Sequence, residues 1–233
     1  MHCAPIRLPQ ARTGFPGNGQ ERRVRVSRPA FLFDFDGVLA DTEPLHFEAW
    51  RNVLAPAGVP LDWELYVTRC IGLADKEMVA MLGSLASPPK PIEDLWPLYH
   101  HKQKAFQDLT FSQKIIPDDT LEAIRRLAHN GLAVVTSSAR HEIEPILARD
   151  GLLPLLATAV YGDEVGRLKP DPEPYRTALQ RLGVDSAIVF EDSPSGIASA
   201  RAAGCQVVAV SHPSVLPSLL EAYFRESILC KLM

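Results

Sequence analysis

Two aspartates at the end of a short apolar run are the residues of this sequence best suited to chemistry. Residues 30–35 read Ala-Phe-Leu-Phe-Asp-Phe, so Asp34 and Asp36 fall on the same side of an extended chain. Two carboxylates among apolar neighbours need a cation, and Mg²⁺ prefers carboxylate and phosphate oxygens. The ion would leave one carboxylate able to attack an electrophile. Taken alone, the pattern has an alternative explanation, a turn whose aspartates cap the next helix.

Hydroxyl groups follow a second apolar run. Thr136, Ser137 and Ser138 come directly after the run at 132–135 and precede a predicted helix. A hydroxyl together with the backbone N–H groups at the start of a helix can accept a phosphate. Simple capping of that helix is the alternative.

Charged residues follow two further predicted strands. Lys169 precedes Pro170, and the proline ring disfavours a helical conformation for the lysine, which is therefore presented from an extended loop. Glu191 and Asp192 follow the apolar run at 187–190 and would add oxygen ligands for Mg²⁺. A solvated lysine and a pair of helix-capping acids are the alternatives. Polar groups at four successive predicted strand ends favour one shared active site over four separate structural roles.

The predicted elements explain how these residues would meet. Helical patterns cover residues 44–54, 62–70, 76–85 and 93–109, and strands then alternate with helices as far as residue 210. Repeated β-α-β units indicate a parallel sheet with helices on both faces, where ligands bind beyond the carboxyl ends of the strands. We therefore expect an α/β fold, a Rossmann-like doubly wound parallel sheet core with an inserted all-helical cap domain. The predicted divisions are a disordered basic tail at 1–29, the catalytic core at 30–43 and 117–233, and the cap at 44–116.

Composition limits the class of protein. With 233 residues, 46% of them hydrophobic and 22% charged, the chain has the composition of a soluble globular protein. It contains no uninterrupted run of roughly 18 apolar residues, which is the length needed to span a bilayer. Four cysteines are scattered without the spacing of a zinc site or a disulfide framework. The net charge is −4 although residues 1–29 carry six arginines against one glutamate, so the rest of the chain is acidic and should repel nucleic acid. We expect a cytoplasmic monomer that binds neither nucleic acid nor membranes.

The ordered set of candidate residues resembles a known family. Over residues 30–212 the chain resembles the haloacid dehalogenase superfamily, and the segment 41–46 resembles its β-phosphoglucomutase-like branch. The motifs that carry the resemblance are Asp34-x-Asp36-Gly37, Thr136, Lys169 and Glu191-Asp192. The resemblance implies that Asp34 is the nucleophile and Asp36 the acid/base, and that Thr136 and Lys169 hold the phosphate. It also implies a Mg²⁺ ion held by Asp34, the carbonyl of Asp36, Asp192 and Glu191.

Residues near the predicted site and on the cap are predicted to bind the substrate or its phosphate. They are Gly37, Thr42, His46, Lys76, Lys102, Ser137 and Ser138. For His46 the resemblance implies a supporting hydrogen bond near the hinge of the cap, and an ordinary surface histidine is the alternative.

The acid at position 36 points to phosphoryl transfer, because it can protonate a leaving alkoxide and then deprotonate water. We therefore predict a Mg²⁺-dependent phosphatase that acts through an aspartyl-phosphate intermediate on a small phosphorylated metabolite. A sugar phosphate is the substrate class that we favour. A β-phosphoglucomutase-like mutase is the main alternative, and a catalytically silent binding protein is another. Proteins that resemble β-phosphoglucomutase carry an arginine where this chain has Asp75, and a carboxylate repels a second phosphate. Lys76 or Lys102 would compensate only in part, because lysine lacks the bidentate fork of arginine.

Overall fold

Five strands of the described chain form one parallel sheet. The computed structural model describes residues 29–71 and 73–223, so the predicted tail at 1–29 lies, except for Pro29, outside the described residues. The strands are β1 Ala30–Phe33, β2 Leu132–Val135, β3 Thr158–Val160, β4 Ala187–Glu191 and β5 Gln206–Ala209. Their spatial order is β3-β2-β1-β4-β5, and every pairing is parallel. The chain changes direction across the sheet at β1, which is where ligands bind in folds of this kind.

The strands are short apolar runs whose side chains alternate between two covered faces. Phe31 and Phe33 of β1 pack in one hydrophobic cluster, whereas Ala30 and Leu32 pack in a second one. All four residues are at most 2% exposed. Because both faces of the sheet are buried, the run is continuously apolar. Polar residues begin only where the strand ends, at Asp34.

Helices pack on both faces of the sheet and make up the segment inserted after β1. The helices of the inserted segment are α1 Glu43–Leu54, α2 Trp63–Arg69, α3 Asp75–Leu85, α4 Ile92–Leu95 and α5 Tyr99–Phe111. The helices beside the strands are α6 Asp118–Arg125, α7 Arg140–Arg149, α8 Glu173–Leu182 and α9 Pro194–Ala202, and residues 216–223 are also helical. This architecture confirms the predicted α/β fold class. Across the described ranges, every helix is too short or too polar to cross a membrane.

The helix predicted over residues 93–109 is interrupted. α4 ends at Leu95, a 3₁₀ turn covers Trp96–Leu98, and α5 begins at Tyr99. Pro97 lies in that turn. Proline has no N–H to donate within an α-helix, and its ring clashes with a carbonyl of the preceding turn. The hydrogen-bond pattern of a single long helix therefore breaks at this position.

The inserted helices share a hydrophobic cluster of their own. Trp50 of α1 and Leu82 of α3 are each 1% exposed within it. Ile116, by contrast, is fully buried in the cluster beneath the sheet. A separate cluster is what an inserted domain needs in order to fold as a unit. The predicted domain boundaries at 44 and 116 stay a prediction.

Candidate active site

The loop after β1 places two aspartates against the loop after β4. The N–H of Asp34 donates to the carbonyl of Phe190 at 3.0 Å, so the first aspartate begins where the pairing of the two strands ends. Gly37 follows with a φ of 74°, and a Cβ atom there would lie 2.1 Å from Oδ2 of Asp192. Only glycine combines this left-handed conformation with the missing side chain. Gly37 therefore lets the two acidic loops approach each other.

Lys169 is the centre of the charged cluster. Its Nζ atom donates to Oδ1 of Asp34 at 2.7 Å, to Oε1 of Glu191 at 2.7 Å and to the carbonyl of Val135 at 3.0 Å. The three acceptors match the three N–H donors of an ammonium group. Burial lowers the pKa of Lys169, but the two carboxylates outweigh burial and leave the pKa above its usual value. The lysine is therefore a fixed positive charge beside Asp34.

Glu191 is fully buried, and its oxygens are engaged by protein donors. The hydroxyl of Tyr175 donates to Oε1 at 3.1 Å, and the N–H and hydroxyl of Ser193 donate to Oε2 at 2.8 and 3.0 Å. Ser193 also caps α9 by accepting the N–H of Gly196 at 3.0 Å. A Cβ atom on Gly196 would lie 1.5 Å from Oε1 of Glu191, so the third residue of α9 must be glycine for this packing. The arrangement holds Glu191 rigidly against Lys169.

Asp36 stands between hydroxyl donors and an imidazole. Thr42 donates to Oδ1 at 2.6 Å and Ser138 to Oδ2 at 3.0 Å, while Nε2 of His46 lies 3.9 Å from Oδ1. Burial raises the pKa of Asp36, but the nearby His46 and the hydrogen bonds from Thr42 and Ser138 outweigh burial and bring the pKa below its usual value. Asp36 is therefore ionised at neutral pH in this structure.

The acidic cluster suits a divalent cation. Asp34, Glu191 and Asp192 each offer an oxygen, and these oxygens lie within 4.8 Å of one another. Burial raises the pKa of Asp34, and the charges of Glu191 and Asp36 add to the effect while Lys169 opposes it. Burial and the charge of Glu191 raise the pKa of Asp192 to about 6. Burial is the largest cause of both shifts, and the neighbouring carboxylates add to it. A cation would relieve both effects, and an all-oxygen donor set of this kind fits Mg²⁺.

A pocket of about 220 Å³ opens above this cluster. Its walls come from both the strand ends and the inserted helices, and the lining residues are Asp34, Asp36, Glu43, Ile71, Ser137, Lys169, Asp192, Ser193 and Ser195. A larger cavity of about 360 Å³ lies near Phe111 and Arg149 and contains none of these side chains. The smaller pocket is the candidate active site, because Asp34, Asp36 and Lys169, which are predicted to be catalytic, line it.

The part of the chain that carries this arrangement matches a known protein family. Residues 31–210 match the family of haloacid dehalogenase-like hydrolases. The chain belongs to this family. The match includes all four strand ends that carry the cluster.

Individual relatives of this haloacid dehalogenase-like hydrolase agree with the assignment. A phosphorylated carbohydrates phosphatase of Thermotoga maritima is 34% identical over 179 residues, which cover 76% of this chain and 82% of the relative. A β-phosphoglucomutase of Bacillus subtilis is 28% identical over 189 residues, which cover 78% of this chain and 82% of the relative. The crystal structure of CbbY from Rhodobacter sphaeroides in complex with phosphate superposes with a TM-score of 0.63 and 31% identity, over 78% of this chain and 86% of that chain. The predicted family and the predicted enzyme class, a phosphoric monoester hydrolase, are confirmed.

Two lysines predicted to bind phosphate do not line the pocket of the hydrolase. Lys76 is exposed, and its Nζ atom lies 5.8 Å from the centre of the Trp96 ring. Lys102 is 3% exposed and makes a 3.0 Å contact with Nδ1 of His46. Neither lysine reaches the pocket, because helix packing turns one to solvent and the other into the interior of the cap.

Two predicted hydroxyl residues lie behind the pocket rather than in it. Thr42 is fully buried and holds Asp36. Thr136 is 2% exposed, and its Oγ1 atom accepts the N–H of Ser138 at 3.0 Å. Ser137 is the member of this predicted set that lines the pocket.

Four lining residues were not predicted from the sequence. Glu43 belongs to the segment that carries the family resemblance, and its Oε2 atom accepts the hydroxyl of Tyr66 at 2.7 Å. Ser193 directly follows the predicted Glu191-Asp192 pair and Ser195 comes two residues later, so their position after the fourth strand was a usable signal. Ile71 carries no local signal, since an isolated isoleucine is most often an ordinary apolar residue.

Proposed function

We propose that this hydrolase is a Mg²⁺-dependent phosphatase that removes phosphate from a small phosphorylated carbohydrate through an aspartyl-phosphate on Asp34. The observation that carries the proposal is the 2.7 Å contact between Lys169 and Asp34 at the base of the pocket. A carboxylate held beside a fixed cation is ready to attack phosphorus, because the cation attracts the anionic phosphate toward it.

In the first step a carboxylate oxygen of Asp34 forms a bond to phosphorus while the ester P–O bond breaks. Asp36 gives a proton to the departing oxygen, which leaves as an alcohol. Asp36 must first take up that proton, and the bound phosphate dianion favours uptake because a nearby negative charge raises the pKa of a carboxyl group.

In the second step water attacks the phosphorus of the aspartyl-phosphate, and the bond between phosphorus and Asp34 breaks. Asp36 accepts the proton of the water. This step requires the ionised form of Asp36, which His46 and the hydrogen bonds from Thr42 and Ser138 favour by lowering the pKa of Asp36. The products are inorganic phosphate and the regenerated carboxylate of Asp34.

The remaining groups hold the phosphate and balance its charge. We propose that Ser137 contacts the phosphate oxygens directly, that Lys169 attracts them by its charge from its place beside Asp34, and that Thr136 orders the loop behind them. Mg²⁺ would be held by Asp34, Asp192 and the carbonyl of Asp36, and it would supply charge neutralisation at the transferring oxygens. Because both oxygens of Glu191 already accept hydrogen bonds, we assign Glu191 to orienting Lys169.

The charge of the pocket favours hydrolysis of a monophosphate over a mutase reaction. Among the lining residues, all within the described chain, Lys169 is the one cation, and the carboxylates are Asp34, Asp36, Glu43 and Asp192. A mutase must hold a second phosphate away from the reacting centre, and that phosphate would meet carboxylates there. The hydroxyl groups of a sugar, in contrast, can donate hydrogen bonds to Glu43.

The inserted helices supply the wall of the pocket opposite the strand ends. Glu43 begins α1 and Ile71 follows α2, and both line the pocket. We propose that residues 44–116 act as a cap domain over the active site. A cap of this kind excludes bulk water while the phosphate is transferred.

The test is a panel of phosphorylated sugars assayed with and without Mg²⁺. We expect phosphate release with Mg²⁺ from the wild-type protein and none from Asp34→Asn, because an amide is a far weaker nucleophile. Asp41→Asn is the matched control, since Asp41 is an exposed aspartate of the same loop whose oxygen lies 3.5 Å from His212. Activity of Asp34→Asn beyond a few per cent would refute the nucleophile, provided that deamidation is excluded.

The mutase alternative is tested in parallel. Inorganic phosphate and glucose 6-phosphate are measured from β-glucose 1-phosphate with a trace of glucose 1,6-bisphosphate. We expect release of phosphate to exceed isomerisation. If isomerisation is faster, the phosphatase proposal is wrong and the mutase interpretation replaces it.

A further inference from the structure

A buried lysine on the cap pairs with one acidic side chain among the residues that the structure describes. Lys102 of α5 is 3% exposed, and its Nζ atom lies over the rings of Trp50 and Phe106 at 5.6 and 5.3 Å. Among the described residues, the carboxylate that pairs with it is Asp75, whose Oδ2 atom is 3.9 Å away. A buried ammonium group is costly unless a counter-charge accompanies it. Asp75 is therefore the counter-ion of Lys102.

Asp75 contacts interior side chains of the cap, although its own side chain is 37% exposed. Asp75 is the first residue of α3, and its Oδ1 atom accepts the indole N–H of Trp50 at 3.2 Å. Its other oxygen faces Lys102, and it does not line the pocket above Asp34. The expectation that this carboxylate repels a second phosphate does not fit the geometry, because its charge is compensated by Lys102. Repulsion in the pocket comes from the carboxylates that line it.

Lys102 determines which nitrogen of His46 carries the proton. An ammonium group can only donate, so Nδ1 of His46 at 3.0 Å must accept. In a neutral imidazole the proton is then on Nε2. The ring is also fixed by stacking on Phe106, with a centroid distance of 4.0 Å and an angle of 8°. Nε2 lies 3.9 Å from Oδ1 of Asp36, so its proton is directed toward the acid/base.

We propose that Asp75 is a positioning residue for Asp36, and that it acts through Lys102 and His46. Asp75 holds the ammonium group of Lys102 in place, Lys102 donates to Nδ1 of His46 and so leaves the proton on Nε2, and Nε2 directs that proton at Asp36. The consequence for catalysis rests on the proposed function, since it requires Asp36 to be the acid/base. The structural part, the tautomer of His46, does not depend on any activity.

The experiment removes the charge of Asp75 while preserving its shape. Asp75→Asn keeps an oxygen that can accept the indole N–H of Trp50 but no longer pairs with Lys102. Glu77→Gln is the matched control, because Glu77 is an exposed acid in the same first turn of α3. The imidazole nitrogens of His46 are observed by ¹⁵N NMR, and turnover is measured on a hexose monophosphate and on p-nitrophenyl phosphate. Thermal unfolding shows that each variant is folded.

In the wild-type protein and in Glu77→Gln we expect the Nε2–H tautomer of His46, and in Asp75→Asn a mixture of tautomers. Turnover of the hexose phosphate should fall about tenfold in Asp75→Asn, a fraction of the roughly 100-fold or more that general acid catalysis contributes. Turnover of p-nitrophenyl phosphate should change little, because nitrophenolate leaves without a proton. Lys102→Met should cause the same selective loss, and adding Asp75→Asn to it should cost nothing more.

Two results would overturn the proposal. One is a wild-type His46 that carries its proton on Nδ1 or on both nitrogens. The other is an Asp75→Asn variant whose tautomer is unchanged, or whose loss adds to that of Lys102→Met. If the wild-type protein turned over neither substrate, the proposed function would fail, and the NMR comparison would still decide the role of Asp75.

Discussion

At the scale of single residues, the pocket is a balance between one buried cation and several carboxylates. Lys169 lies 2.7 Å from both Asp34 and Glu191, and its side chain is 4% exposed. At such distances and in a poorly solvated site, charges interact far more strongly than on the surface. Substitutions that change the charge of these groups, or move them slightly, should therefore reduce turnover more than they reduce the stability of the fold.

Asp36→Asn should slow natural alkyl phosphates by about 100-fold or more, because general acid–base catalysis contributes at least that much. p-Nitrophenyl phosphate should lose much less in the first step, since its leaving group needs no proton. Phospho-enzyme should accumulate because the water of the second step is no longer activated. The comparison uses steady-state rates and acid-quenched protein analysed by mass spectrometry. Equal slowing on both substrates without trapped phospho-enzyme would contradict the acid/base role.

Gly37→Ala should weaken the response to Mg²⁺ by roughly tenfold, a common cost of disturbing a ligand's surroundings. The new Cβ atom would lie 2.1 Å from Oδ2 of Asp192 and push that carboxylate away. Gly183→Ala is the control, because Gly183 also has a positive φ, of 67°, but nothing lies within 4 Å of its Cβ position. The measurement is the Mg²⁺ concentration for half-maximal activity. A shift of equal size in both variants would assign the effect to backbone strain instead.

At the scale of elements, a single carboxylate joins the end of the inserted segment to the end of α7. Asp150, the residue after α7, accepts the N–H groups of Ile115 and Ile116 at 3.0 and 2.9 Å through Oδ2. Its Oδ1 atom accepts from Nε of Arg149 at 2.7 Å. Asp150 is 6% exposed, so these bonds are shielded from water. They fix where the chain re-enters the core after the inserted helices.

Asp150→Asn should lower the free energy of unfolding at pH 7 by about 1–3 kcal/mol, the usual cost of disturbing a buried hydrogen-bonded group. Burial raises the pKa of Asp150, but hydrogen bonds from Arg149 and from the N–H groups of Ile116 and Ile115 outweigh burial and bring it below its usual value. A lowered pKa in the folded state means that the stabilisation is complete above the unfolded-state pKa of about 3.9 and is lost as the pH falls through the folded-state value.

The difference between wild type and Asp150→Asn should therefore be largest near neutral pH and shrink below about pH 4. Urea titrations at a series of pH values give the two free energies of unfolding. Asp185→Asn is the control, since Asp185 is exposed and should show a small effect at every pH. A difference that grows on acidification would contradict the assignment.

At the scale of the whole molecule, Mg²⁺ should couple the active site to global stability. The proposed Mg²⁺ ligands Asp34 and Asp192 follow β1 and β4, so an ion bound between them links distant parts of the chain. A ligand that binds only the folded state raises the free energy of unfolding by about 2.7 kcal/mol at 100 times its dissociation constant. Asp192→Asn should lose most of this gain.

The measurement is chemical denaturation with MgCl₂ and with NaCl at equal ionic strength. The NaCl arm corrects for screening of surface charges. If Asp192→Asn gains as much stability from Mg²⁺ as the wild-type protein does, the ion is bound elsewhere and the proposed ligands are wrong.

The sequence by itself determined the sheet and the set of residues at its edge. Continuous apolar runs mark strands buried on both faces, and polar residues can begin only where a strand leaves the core. Because the carboxyl ends of parallel strands meet at one edge, Asp34, Asp36, Lys169 and Asp192 were predictable as neighbours without any coordinates. The break at Pro97 has an equally local cause, since proline acts through its own covalent structure, but the prediction of one helix over residues 93–109 missed it.

Only the tertiary structure decided how the cap contributes. The contacts of Lys102 with His46 and Asp75 join three helices, and residues 56 and 27 positions apart along the chain meet there. Helical periodicity predicts which residues share a face of one helix, but it does not specify which neighbouring helix that face meets or at what register. Lys102 on α5 was predicted to bind phosphate because lysine is a cationic residue. Its burial beside His46 depends instead on how whole helices pack. Packing is a property of distant segments, and no local pattern records it.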